Sequence, residues 1–271
     1  MDLELANQVA VVIGAARGIG RAMAAAMAQE RANVVLVDRD ESVARLAEEL
    51  GAGEPAAREA VFAVMGDVTD YAAMQRVATQ ARERFGRIDH VLFAAGAGSG
   101  KYGFPFWNLE PGDWRRVLDV NLVGAVNVAH AFAPTFVAAR RGTFLFVSSI
   151  AGQIGSPTDP PYSAAKAGLI NFAQCAAKDL AEYNVRVNCL CPGMVKTELN
   201  QSVWAAWQAR HPEVTQNYEE WAAEKIRRNV PLNRWQEADD VAALAVFLAS
   251  SRAKNITGQT MNVDGGQVMH W

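Results

Sequence analysis

Val9-Ala10-Val11-Val12-Ile13-Gly14-Ala15-Ala16-Arg17-Gly18-Ile19-Gly20 is a short apolar run that breaks into a glycine-rich turn and then into a helical pattern. The apolar run reads as a strand buried on both faces, and the glycines let backbone approach a bound group closely. The N–H groups and positive dipole end of the following helix attract a pyrophosphate, although a tight turn with no ligand would use glycines in the same way. The spacing is GxxxGxG rather than GxGxxG. Asp38 closes the next apolar run, 18 residues beyond Gly20. That is close to the distance at which a carboxylate reaches the ribose hydroxyls of a dinucleotide. A carboxylate there repels a 2′-phosphate and favours NAD over NADP. Arg17 and Arg39 pull the other way, since either can pair with that phosphate.

Working outward, short β-branched runs alternate with longer amphipathic segments. Val9–Ile13, Asn33–Val37, Ala60–Val64, His90–Phe93, Gly142–Val147, Arg186–Leu190 and Gln259–Val263 read as strands. Ile19–Arg31, Ser42–Leu50, Tyr71–Phe85, Glu110–Arg140, Tyr162–Tyr183 and Asp239–Ser250 read as helices. This rhythm predicts right-handed βαβ units in an α/β fold: a single doubly wound parallel β-sheet, Rossmann-like, flanked by helices on both faces. One domain over 1–271 is expected, with ligands at the carboxyl ends of the strands. The polar segment 198–232 breaks the rhythm and carries Trp204, Trp207, His211, Tyr218 and Trp221. It follows a strand and Pro192-Gly193, so it is expected to be a substrate-binding lid; two surface helices packing their tryptophans on the body is the alternative.

The 271 residues are 51% hydrophobic and 20% charged, with net charge −3. That composition excludes disordered and collagen-like classes and gives no basic footprint for nucleic acid or an anionic membrane. Three cysteines cannot build a disulfide framework, Met1-Asp2-Leu3-Glu4 does not read as a basic region leading into an apolar stretch, and no uninterrupted apolar run reaches 18 residues. A soluble cytoplasmic protein is expected. Gly96-Ala97-Gly98-Ser99-Gly100-Lys101-Tyr102 imitates a P-loop, but it is one residue short between its glycines and has Tyr102 where magnesium needs Ser or Thr.

Tyr162-Ser163-Ala164-Ala165-Lys166 opens a helix and sets Tyr and Lys on one face. An ammonium within about 4 Å, at an effective dielectric of about 20, stabilises a phenolate by roughly 4 kcal/mol. Such a phenol is expected to titrate near about 7 instead of about 10, and to serve as a general acid or base toward an alcohol or carbonyl.

Gly14-x3-Gly18-x-Gly20, Ala94-Ala95-Gly96, Asn121, Ser149, Tyr162-x3-Lys166 and Pro192-Gly193, in that order, resemble the classical short-chain dehydrogenase/reductase family. The resemblance spans the whole chain, including Asp67-Val68 and the closing Asn262-Val263-Asp264-Gly265-Gly266. Two positions depart: Ile13 where the family has Thr, and Phe93 where it has Asn. The resemblance implies that Tyr162 is the acid/base, Lys166 its pKa-lowering partner, Ser149 a hydrogen-bond donor to the substrate oxygen, and Asn121 the holder of a relay water. It places Gly14, Arg17, Gly18, Ile19 and Gly20 at the pyrophosphate, Asp38 at the ribose and Asp67-Val68 at the adenine. Ala95 and Gly96 flank the ribose, while Pro192, Gly193, Val195 and Thr197 fix the carboxamide. It implies hydride exchange between NAD(H) and a secondary alcohol or ketone, in a homotetramer.

Trp204, Trp207 and Trp221, with Phe104, Phe106 and Trp107, are expected to form an aromatic pocket for a cyclic or aromatic alcohol, or for a polyol or sugar. A 3-oxoacyl thioester reductase using NADPH is an alternative, as is a nicotinamide-binding regulatory protein without turnover. Cys189 and Cys191 read as core thiols and no metal site is expected. His90 and His130 read as packing, His211 as able to meet a substrate, and Trp271 as able to reach a neighbouring subunit's pocket.

Overall fold

The computed structural model describes residues 2–52, 55–156 and 158–270. Its strands β1 (Val9–Ile13), β2 (Asn33–Asp38), β3 (Val61–Met65), β4 (His90–Phe93), β5 (Gly142–Val147), β6 (Val185–Pro192) and β7 (Thr260–Val263) form one parallel sheet in the order β3-β2-β1-β4-β5-β6-β7. The chain leaves β1 in one direction to reach β2 and β3, then returns across β1 to reach β4. This reversal opens a crevice at the carboxyl ends of β1 and β4.

Because both faces are covered, the strands are apolar throughout. Val9, Val11, Ile13, Val35 and Val37 pack against α4 (Tyr71–Phe85), α6 (Gly124–Ala139) and α7 (Pro160–Leu180), through Met74, Val77, Phe132, Phe136 and Leu169. Their neighbours Ala10, Val12, Val34 and Leu36 pack against α1 (Gly18–Gln29), α2 (Ser42–Leu50) and α10 (Ala238–Ala249), through Met23, Met27, Leu46 and Ala245. Alternate side chains thus feed two cores.

The sequence reading meets this architecture with shifts at the ends. β3 starts one residue later than the apolar run suggests, β2 takes in Asp38 and β6 runs on to Pro192. A short α3 (Pro55–Glu59) carries no periodic signal, and α7 starts at Pro160, a residue suited to a first helical turn. The expected helix 110–140 is continuous over Pro111–Ala139, built from α5 (Pro111–Leu118), a π-helical turn at Asp119–Val123 and α6. Its most apolar stretch has a mean hydropathy of 1.5, enough in length and composition to cross a membrane. Val128, Phe132 and Phe136 nevertheless lie fully buried in the sheet core, so it is a core helix.

Segment 198–232 holds two helices, α8 (Glu198–Arg210) and α9 (Tyr218–Asn229). Their aromatics pack among themselves: Trp204 edge-on to Tyr218, Trp207 stacked on His211 and tilted against Trp221, and Tyr218 tilted against Trp235. The pair meets the crevice through Glu198, Leu199, Asn200, Val203 and Lys225.

His90 is packed at the start of β4, with Nε2 2.7 Å from Gln8 Oε1 and Nδ1 without a partner among the described residues. Burial pushes its pKa down from 6.5 to about 4. Between those values the unfolded chain takes up a proton that the folded one refuses, so stability falls by about 1.4 kcal/mol per pH unit on acidification and levels off below. In urea unfolding at pH 4 to 7, His90→Gln is expected to lose stability less steeply than the parent. Equal slopes would remove His90 from the acid response.

Candidate active site

The strand ends determine what meets in the crevice. Ser148 and Ser149 follow the end of β5; a 3₁₀ turn at Ile150–Gly152 then packs on the backbone of α7, where a Cβ on Gly152 would sit 2.6 Å from the Lys166 carbonyl carbon. Ser148 Oγ donates to Lys166 O at 2.8 Å, and Ser163 Oγ donates to Ala151 O. These contacts hold Tyr162 and Lys166 against Ser149. Ser149 Oγ accepts from Ala151 N at 3.1 Å, which leaves its hydroxyl proton free to donate.

Lys166 is 2% exposed; its Nζ donates to Val147 O at 2.8 Å and stands 5.4 Å from the Tyr162 ring centroid. Burial pulls the lysine down to about 8 and pushes Tyr162 up to about 12, against the lowering effect of its hydrogen bond with Ser149. The expected phenol near neutrality is therefore not found in the cleft as it stands. The ammonium is bonded to a carbonyl rather than the phenol, and desolvation of the phenolate outweighs what remains.

Asn121 lies in the π-helical turn and is fully buried. Its Nδ2 donates to Ala97 O at 2.7 Å and Val117 O at 2.8 Å, so the widened turn and the loop after β4 share one amide. Asn121 does not line the cleft. A Cβ on Gly96 would fall 3.1 Å from its Oδ1 and 3.6 Å from Lys166 Nζ, so Gly96 separates the two.

At the other end, α1 begins with extended Arg17, with no side-chain cap and no acidic residue in its first turn. The amides of that turn are free for an anion. Gly14 has φ +84°, and a Cβ there would strike Ala95 N at 2.6 Å. Gly20, expected at the pyrophosphate, does not line the cleft. A Cβ on it would come within 1.9 Å of Gly14 O, so its place is the packing of α1 on the loop. Asp38 accepts from Ala16 N at 3.0 Å and Asp40 N at 3.1 Å while facing the cleft. Arg17 pairs with Glu198 at 3.0 Å and Arg39 with Asp67 at 3.8 Å, both exposed pairs. Asn127 Nδ2 holds Val68 O at 2.9 Å, and Thr197 caps α8 through Asn200 N.

Gly14, Arg17, Gly18, Ile19, Asp38, Asp67, Val68, Ala95, Gly96, Ser149, Tyr162, Lys166, Pro192, Gly193, Val195 and Thr197 all line this one cleft, whose volume is about 370 Å³. The uncapped helix end, the glycine cradle and the carboxylate on β2 fit a nicotinamide dinucleotide laid across the switch point, with Ser149 and Tyr162 at its far end.

The expected aromatic pocket does not form. None of Trp204, Trp207, Trp221, Phe104, Phe106 and Trp107 lines the cleft, and Trp107 is 70% exposed. His211 is likewise occupied elsewhere, its Nδ1 2.8 Å from Trp207 O. That part of the cleft is lined instead by Ser156, Thr158, Asp159, Met194, Glu198, Leu199, Asn200, Val203, Lys225 and Gln267. Asp159 Oδ2 accepts from Ser99 N at 2.7 Å, and burial raises its pKa. The one signal in the sequence for it is its place as the polar residue before Pro160. Trp271 lies outside the described residues.

Ile13 and Phe93 prove to be partners in register across β1 and β4. The two apolar substitutions therefore face each other, and neither strands a buried polar partner.

The family described as "Enoyl-(Acyl carrier protein) reductase" matches residues 14–268. Galactitol 2-dehydrogenase of Agrobacterium fabrum is 36% identical over 98% of this chain and 100% of its own length. The 3-oxoacyl-[acyl-carrier-protein] reductase FabG of Thermotoga maritima is 32% identical over 98% of this chain and 100% of its own. A short-chain type dehydrogenase/reductase from Mycobacterium ulcerans superposes with a TM-score of 0.85 at 29% identity, covering 97% of this chain and 90% of that one.

Proposed function

The chain belongs to the short-chain dehydrogenase/reductase family, and on that footing we propose that it exchanges hydride between NAD(H) and a secondary alcohol or the matching ketone. The observation that carries this reading is the convergence of Ser149, Tyr162 and Lys166 in the cleft that begins at the uncapped end of α1. Bound nicotinamide would supply or accept the hydride at its C4. Tyr162 delivers its phenolic proton to the carbonyl oxygen in reduction and takes the hydroxyl proton in oxidation. Ser149 donates its free hydroxyl proton to the same oxygen and stabilises the charge that develops there. Lys166 holds a positive charge beside the phenol, and Asn121 fixes the loop over it and the water that relays its proton. Gly14, Arg17, Gly18 and Ile19 bind the pyrophosphate, Asp38 the ribose, Asp67, Val68, Ala95 and Gly96 the adenosine, and Pro192, Gly193, Val195 and Thr197 the carboxamide.

NAD is the proposed cofactor. Asp38 faces the ribose end, and Arg17 and Arg39 already answer Glu198 and Asp67. A polyhydroxylated alcohol is the proposed substrate class, supported by the polar wall of Ser156, Thr158, Asp159 and Asn200 and by the likeness to a galactitol dehydrogenase. The likeness to a 3-oxoacyl thioester reductase supports a second reading, reduction of 3-oxoacyl thioesters with NADPH. We assign 198–232 to a lid over the substrate, on the position of Leu199, Asn200 and Val203. A cytoplasmic homotetramer is the proposed setting, supported by the family resemblance and by free thiols at Cys175, Cys189 and Cys191.

The test is reduced-nicotinamide absorbance with NAD and NADP, across polyols, cyclic alcohols and 3-hydroxyacyl thioesters. NAD-linked oxidation of a polyol is the expected result. NADP-linked turnover of a thioester alone would replace this reading with the second.

A further inference from the structure

Lys225 sits in the third turn of α9 and lines the cleft. Its Nζ stands 4.3 Å from the centroid of the Trp221 ring, which is itself 5% exposed. Two neighbouring cations have carboxylate partners, Lys196 meeting Glu219 at 3.0 Å and Arg228 meeting Glu224 at 4.0 Å, while Arg210 and Arg227 are exposed to solvent rather than turned into the cleft. Among the described residues no carboxylate lies within ion-pairing distance of Lys225. Burial lowers its pKa, with no neighbouring charge to offset that effect. Gln267 lines the same cleft and buries its Oε1 without a hydrogen-bond partner among the described residues.

A desolvated ammonium costs free energy unless an anion or a ring face compensates it, and Trp221 supplies only the ring. The position matters too. α9 follows β6 and Gln267 follows β7, so both sit at the end of the sheet away from β2 and β3, where Asp38 and Asp67 face the cleft. The adenosine phosphates would be held at α1, near the middle of the sheet. What remains for Lys225 is the substrate.

We propose that Lys225, seated on Trp221, binds an oxyanion carried by the substrate while Gln267 Oε1 accepts from one of its hydroxyls, so that the enzyme prefers an anionic hydroxylated alcohol to a neutral one. This rests on the hydride-transfer reading above and narrows its substrate class. A carboxylate and a phosphate ester offer the same chemistry to an ammonium, and each has its own arm in the test. Trp221 fixes the ammonium from behind, so the anion approaches from the cleft with little side-chain entropy left to lose.

The test uses the full chain with saturating NAD. Acetylation of lysines by a small succinimidyl ester is followed by peptide mass spectrometry, with exposed Lys178 and Lys254 as references. The probes are gluconate, glycerol 3-phosphate, galactitol and glycerol. We expect one of the two anions to slow acetylation of Lys225 by about tenfold or more while neither neutral polyol does so, which is in the range of one charge-assisted contact. The anion that protects identifies the source. Lys225→Met should then raise KM for the anionic substrate by roughly 10- to 100-fold with kcat within about threefold, and Lys225→Arg should recover most of the loss. Lys225 modified at one rate in the presence of all four probes, or protected equally by neutral polyols, would overturn the proposal. Protection by an anion in a protein that oxidises no alcohol would still support the site and would count against the hydride-transfer reading alone.

Discussion

Tyr162→Phe is expected to lower kcat by about 10³-fold, within the usual range of 10² to 10⁴ for a lost general acid–base, while NAD affinity stays within about threefold. The ring fits the same buried space, so the fold is spared; what disappears is the hydroxyl that bonds Ser149 and faces the cleft. The same residue sets the pH response. With its pKa pushed up to about 12 by burial, the phenol of the unliganded cleft keeps its proton at neutral pH. Reduction uses that protonated form directly. Oxidation must first remove the proton, so its rate should climb about tenfold per pH unit up to the operative pKa of the complex. Positive charge beside the phenol, from Lys166 and from an oxidised nicotinamide when bound, brings that pKa down. Replacing Lys166 by Met should therefore shift the rising limb to higher pH. Initial rates of oxidation from pH 6 to 10 check both statements. A flat profile in the parent, with the chemical step limiting, would take the role away from Tyr162.

Asp38→Asn carries the second large effect, on cofactor choice. The carboxylate accepts two backbone N–H groups, from Ala16 and Asp40, which hold it in place at the ribose end of the cleft. A 2′-phosphate about 4 Å away meets a repulsion of roughly 4 kcal/mol at an effective dielectric of about 20. Discounted for its open side, about 2 kcal/mol remains, or roughly 30-fold in kcat/KM for NADP relative to NAD. Asn keeps one acceptor and loses the charge, so the preference should fall by that factor, with Arg17 and Arg39 free to turn from Glu198 and Asp67 toward the phosphate. Kinetics with both cofactors measure it. An unchanged ratio would mean that Asp38 does not read the 2′ position.

Much of this was legible in the residues because each piece has a local cause. Strands buried on both faces leave unbroken β-branched runs, so β1, β4 and β5 start and stop where the sequence suggests. Turns that admit only glycine leave Gly14, and a helix face leaves Tyr162 and Lys166 in register. Other features depend on which way an element faces, and periodicity does not encode that. The tryptophans of 198–232 turned toward one another rather than the cleft, leaving Lys225 facing it instead. Gly20 serves packing because α1 crosses the loop at backbone contact. Ile13 and Phe93 look like two separate departures until the register pairs them. The phenol's pKa depended on where the Lys166 ammonium found its hydrogen bond, and the carbonyl of Val147 at the end of β5 is not written in a Tyr-x3-Lys spacing.

The most direct test of hydride transfer in this cleft is a label. NADH carrying deuterium at C4 is incubated with the ketone of the best alcohol substrate, and the product carbinol is analysed by mass spectrometry and NMR. Deuterium on the carbinol carbon, with no solvent hydrogen there and the label lost from the cofactor, is the expected result. A carbinol hydrogen drawn from solvent, or unlabelled product formed at the full rate, would contradict it.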